Sequence, residues 1–140
     1  MSALMTCRSC MTSEKGILRA LKQLGVPEEH IEVALGEALK LKGYGRQTEN
    51  VEILIPNNKW HNGYSDFGFG RTNGSKEYNM YVDDMDDVGA LANAAGVKGK
   101  FSESVTEWYT AFMAKDALKK MGGIASIKRE GEKLVVVADV

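Results

Sequence analysis

The chain has 140 residues, of which 44% are hydrophobic and 26% charged, with a formal net charge of −1. That length suits one domain over 1–140 with a sizeable core. No apolar run nears the ~20 residues that cross a bilayer, and the balanced charge provides no general attraction to nucleic acid or anionic lipid. Two cysteines, and no basic stretch leading into an apolar one at the N-terminus, place the expected compartment in the reducing cytoplasm.

Residues 3–12, with Leu4, Met5, Cys7 and Met11 as apolar members, read as a first strand. Ser13 offers an N-cap, Ile17, Leu18, Leu21 and Leu24 share one helical face, and Gly25 and Pro27 are stop signals. Together they predict a helix over 14–24. Residues 28–44 fit two patterns. Ile31, Ala34, Leu35, Ala38 and Leu39 make a helical stripe, yet Ile31, Val33 and Leu35, then Leu39 and Leu41, also alternate with other residues. Gly36 between those runs would cost a helix ~1 kcal/mol, which tips the reading towards strands. Val51–Ile55 is a strand, and 56–59 is a turn set by Pro56 and the two asparagines after it.

The stretch 63–83 organises the rest. Asn73-Gly74 is the strongest short hairpin signal and predicts a type I′ turn. On the outgoing arm Tyr78, Met80 and Val82 alternate with Glu77, Asn79 and Tyr81. On the incoming arm Phe67 and Phe69 share one face, while Asp66, Gly68 and Gly70 leave the other almost bare. Glycines on one strand face mark a close approach by something else. A covering helix explains this better than a ligand. Asp84, Asp86 and Asp87 lead into a short helix ending near Gly96. The main helix follows at 103–121, with Ser104 and Glu107 spaced as a capping box and Gly122-Gly123 as its stop. Ile124–Glu130 and Lys133–Ala138 are two final strands, the second a Leu-Val-Val-Val run suited to a sheet centre. The sum is an α+β protein: an antiparallel sheet with two main helices packed on one face, the other face being exposed or covered by a partner.

Leu24-Gly25, Gly43-Tyr44, Gln47-Thr48, Asp66, Gly68-Phe69, Glu77-Tyr78 and Val82-Asp83, with the Trp108-Tyr109 helix and the terminal Leu-Val-Val strand, carry a resemblance. In their order and spacing the chain resembles the Ycf thirty-five family of small proteins from cyanobacteria, algal plastids and phages. The family tends to carry a histidine and an aromatic near its start, where this chain has Ala3-Leu4. The resemblance implies the fold and little chemistry, because the family has no assigned activity.

Cys7-Arg8-Ser9-Cys10 supplies half of a tetrahedral zinc set, and no second pair follows. As a redox pair it would need to open a helix directly. Two incidental cysteines are the simpler reading. The run Asp83–Asp87 has hard-cation ligand types but fails the EF-hand spacing, and a solvated cap on a helix N-terminus explains it better. Tyr44, Arg46, Asp66, Gly68, Arg71 and Tyr78 around the hairpin combine aromatic faces with cations, a set able to receive a nucleotide. Edge packing in a sheet explains the same residues more economically. With no convergent catalytic set and no cofactor motif, the leading expectation is a non-enzymatic module that binds a partner protein or a second copy of itself. A nucleotide binder comes second, and a metal or redox protein through Cys7 and Cys10 third.

Overall fold

The computed structural model describes residues 2–8 and 10–139; Ser9, inside the stretch expected as the first strand, lies outside them with Met1 and Val140. β1 (Leu4–Arg8) leads into α1 (Glu14–Gln23), whose first turn is capped by the Ser13 hydroxyl accepting from the Gly16 N–H. A 3-10 turn at Glu28–His30 follows, then β2 (Glu32–Val33) and β3 (Leu39–Lys42), so the ambiguous stretch does resolve into strands. β4 (Thr48–Val51) and β5 (Ile53–Ile55) come next, then the hairpin of β6 (Phe67–Arg71) and β7 (Tyr78–Asp83). The last elements are α2 (Asp84–Val88), α3 (Ala90–Ala95), α4 (Phe101–Lys120), β8 (Ile124–Glu130) and β9 (Lys133–Asp139).

The main sheet is antiparallel, in the order β1-β7-β6-β5-β2, and β3–β4 and β8–β9 form separate two-stranded ribbons. Among the described residues, no helix is long and apolar enough to cross a membrane. The architecture is α+β, as expected. One sheet face, carrying Phe67, Phe69, Met80, Val82, Ile53 and Ile55, packs against Ile17 and Leu21 of α1 and Phe101, Val105 and Tyr109 of α4. Complete burial of such side chains stabilises by roughly 1.5–3 kcal/mol each.

The second sheet face is where the expectation needs correcting. What covers its Gly68 and Gly70 is not a helix but the chain's own β3–β4 ribbon, whose Leu41 and Val51 form a second small core with Leu54. The expected single strand 51–55 is therefore two. Val51 and Ile53 would share a face in a regular strand, yet they sit in different cores, so the chain crosses from ribbon to sheet at Glu52. Gly68 and Gly70 are buried beneath this crossing. A Cβ on Gly68 would collide with the Ile53 carbonyl oxygen, and one on Gly70 would lie 2.9 Å from the Asn50 oxygen.

Three local expectations also change. The β6–β7 connection runs from Thr72 to Glu77, and only Gly74 of the Asn73-Gly74 pair has positive φ (81°). With the Ser75 N–H donating to the Thr72 carbonyl, this is a type II turn in a wider loop, not a type I′ hairpin turn. The Ser104/Glu107 capping box does not form: α4 begins at Phe101, with no side-chain cap from Lys100. And β9 is not a sheet centre. It is half of a terminal ribbon whose partner is β8, and Leu134–Val137 are only half-buried.

Candidate functional site

The acidic turn after β7 fastens the fold. Asp83, Asp86 and Asp87 are 1%, 2% and 1% exposed, so this is no solvated cap. The Asp83 carboxylate accepts from the Met85 and Asp86 N–H groups, capping α2. Asp84 accepts from the Ala3 N–H at 2.8 Å. Asp86 accepts from the N–H groups of Tyr64 (2.9 Å) and Ser65 (3.1 Å). Asp87 takes both the N–H and the hydroxyl of Ser102 at 2.7 Å, and so caps α4 from outside the helix. Burial pushes the Asp86 carboxyl above the ordinary carboxylate range, with the Tyr64 and Ser65 N–H groups pulling back. These carboxylates are engaged with backbone. Among the described residues no group of three or more His, Cys, Asp or Glu side chains converges for a metal, and neither the acidic run nor Cys7 with Cys10 forms one.

Holding α4 in that position opens a groove. β1 is the edge of the main sheet, and the β8–β9 ribbon packs on α4 beyond it. Between them lies a cavity of about 640 Å³, within the size range of small-ligand and side-chain pockets. Met5 and Cys7 form one wall, Leu134 and Val136 the other, and Thr106, Thr110, Ala111 and Ala114 of α4 the floor. Met5 and Cys7 point this way because they share a face with their cross-strand partners Val82 and Met80. Methionines from three segments (Met5, Met11 and Met80) line it, giving an adaptable apolar surface. One end is polar, with Asp87, Ser102, Lys100, Glu103 and Glu107. The Cys7 thiol is pushed up, first by burial and second by Asp87, against opposing pulls from Ser102 and Lys100. It is a protonated wall group, not an activated nucleophile.

Family models, characterised proteins and solved structures offer no match to this chain.

The residues singled out around the hairpin are not gathered into one site. Tyr44 is exposed and packs edge-on against Tyr64, with ring centroids 5.6 Å apart, and Arg46 is exposed in the same turn. Asp66 staples that end of the sheet, accepting from the N–H groups of Lys42 (2.9 Å) and Asn57 (2.7 Å). Arg71 and Tyr78 lie at the other end of β6. Arg71 makes a two-pronged ion pair with Glu52 (2.9 and 2.6 Å) and lies 4.9 Å from the centre of the Tyr78 ring. This pairing holds the Glu52 carboxyl low and the guanidinium high, while burial raises the Tyr78 phenol. Gly68, between the two ends, is under the ribbon. Cys7 is half-buried in the groove and Cys10 exposed, both as free thiols.

Sequence reasoning passed over the groove residues Met5, Thr106, Thr110, Leu134 and Val136. The signal for part of it was present: a Leu-Val-Val-Val strand too apolar for a solvated ribbon, and a first strand with Met5 and Cys7 on one face. What no local pattern carried was that these two strands flank the same helix.

Proposed function

We propose that the protein is a small, non-enzymatic cytoplasmic module, akin to the Ycf thirty-five family, that binds a partner protein in the groove between β1, α4 and the terminal ribbon. The observation that carries the reading is the groove itself: about 640 Å³ of methionine- and aliphatic-lined space between the edge of one sheet and a half-buried ribbon. An apolar concavity of that kind is costly to leave solvated and suits the side chains of a partner. Two unbridged thiols accord with a reducing compartment. The site differs from the sheet face first expected, which the β3–β4 ribbon occupies. A nucleotide around Tyr44, Arg46, Arg71 and Tyr78 finds less support, since those residues stand at opposite ends of β6 and Arg71 is held by Glu52.

The test is to block the floor. Thr110 is an exposed lining residue, so Thr110→Trp fills the groove without touching the main core. Immobilised wild-type and Thr110→Trp proteins are compared for captured partners, and each captured partner is remade pure and titrated against both. A purified partner that binds wild type and is lost with Thr110→Trp, at unchanged melting temperature, supports the reading. Partners that bind both equally, or a small molecule that native mass spectrometry finds on the purified protein and Thr110→Trp displaces, overturn it.

A further inference from the structure

The groove is bounded by an open strand edge. The Asp84 N–H donates to the Ala3 carbonyl at 2.9 Å, which sets the phase of the β1–β7 ladder. Met5 and Cys7 therefore exchange hydrogen bonds with Val82 and Met80, and Leu4 and Thr6 turn their N–H and C=O groups away from β7. The Leu4 N–H fits this phase, since it is taken outside the ladder by the Gln47 side chain at 3.0 Å. Thr6 has no such cover among the described residues. It lies on the edge strand between Met5 and Cys7, the two residues whose side chains line the groove. Beyond the gap stands β9, with Leu134 and Val136 facing back across the same floor. The floor is built from short side chains, Thr106, Thr110, Ala111 and Ala114, which leave space above α4.

Resting on the reading that the groove binds a partner protein, we infer that its occupant is an extended segment that adds to the main sheet at β1. It pairs through the Thr6 backbone and drops alternate aliphatic side chains between Met5 and Cys7 on one side and Leu134 and Val136 on the other. Alternation places every second side chain of such a strand into the cavity. Charge selects its flank. The polar end of the groove has three carboxylates against one ammonium; Asp87 is engaged with Ser102, and Glu103 and Glu107 lie along the first turns of α4 beside Lys100. Glu107 also reaches Arg129 of β8 at 3.4 Å, which leaves Glu103 as the exposed acceptor. The segment therefore carries a lysine or arginine next to its aliphatic run.

The experiment uses a fluorescein-labelled peptide of alternating valine and threonine with lysine at both ends, titrated against the full chain by anisotropy. Two counterparts accompany it, one with glutamate ends and one N-methylated at every second backbone nitrogen. The lysine peptide is expected to bind at least ~10-fold more tightly than the glutamate peptide and to lose at least ~10-fold on N-methylation of the nitrogens facing β1. Exchange of the Thr6 amide should slow by ~10-fold or more on binding, and Glu103→Lys should abolish the charge preference. Equal binding of the N-methylated peptide, or an unchanged Thr6 amide, overturns strand addition. So does the absence of binding up to about 1 mM. The outcomes separate the two proposals: a purified partner that Thr110→Trp expels while Thr6 exchange is unaffected leaves the groove reading in place and removes the strand.

Discussion

Gly68→Val tests the feature on which the β3–β4 ribbon depends. By strand propensity alone the change should be neutral or helpful, since valine is the better strand former. In the fold, the new Cβ meets the Ile53 carbonyl oxygen, with Leu41 Cδ1 at 3.3 Å and Val51 Cγ2 at 3.4 Å. Leu41 and Val51 are 0% and 1% exposed, so neither side chain can swing out into solvent. The carbonyl belongs to β5, held between β2 and β6. Overpacking of this sort costs ~1–3 kcal/mol, and a backbone obstacle places Gly68→Val at the upper end. Unfolding entropy of about 2.1 cal/mol/K per residue makes ~3 kcal/mol equivalent to a fall of ~10 °C in Tm for a chain this long. Calorimetry and urea denaturation would measure it. A second variant checks the cause: Leu41→Ala alone costs ~2–5 kcal/mol, but it also makes room for the valine. In the double variant the two losses should fall short of additivity by ~1 kcal/mol or more. A Gly68→Val protein that melts at or above wild type, or strictly additive losses, would refute the argument that the ribbon presses on this glycine.

Other expectations follow from the acidic turn and the groove. Asp87→Ala strands the buried N–H and hydroxyl of Ser102 and should cost ~2–4 kcal/mol in urea denaturation; a loss below ~0.5 kcal/mol would mean that α4 does not need this cap. For Asp86, burial raises the folded-state pKa above the unfolded one. Its contribution is therefore fully present below the unfolded pKa and is lost as pH rises through the folded pKa. The Tm advantage of wild type over Asp86→Asn should accordingly shrink across that window, and an advantage that grows with pH would reverse the assignment. With N-ethylmaleimide, Cys10 should react at least ~10-fold faster than Cys7, whose thiol is half-buried and held protonated; equal rates, read by peptide mass spectrometry, would show that the groove wall is open to reagent.

What could be read in the chain by itself was whatever rests on local rules. Ser13, the spacing of Ile17 and Leu21, and Gly25 mark α1 because capping, periodicity and left-handed φ act within a few residues. The alternation in Tyr78–Val82 marks β7, and Gly122 marks the end of α4, for the same reason. The bare face at Gly68 and Gly70 was legible as a close approach, but not its cause, because glycine records only that space is needed and not what takes it. The covering ribbon, the crossing at Glu52, and the engagement of Asp86 with the loop at Tyr64 and Ser65 and of Asp87 with the start of α4, 15–22 residues away in sequence, are contacts between segments. Their energies depend on which surfaces meet, and no periodicity encodes that. The groove is the extreme case. Met5 on the first strand and Val136 on the last come to face one another only because both pack beside α4. An apolar strand looks the same in sequence whether a sheet surrounds it or leaves it half-bare, so only the tertiary structure decided that β9 would stand at the edge of a gap.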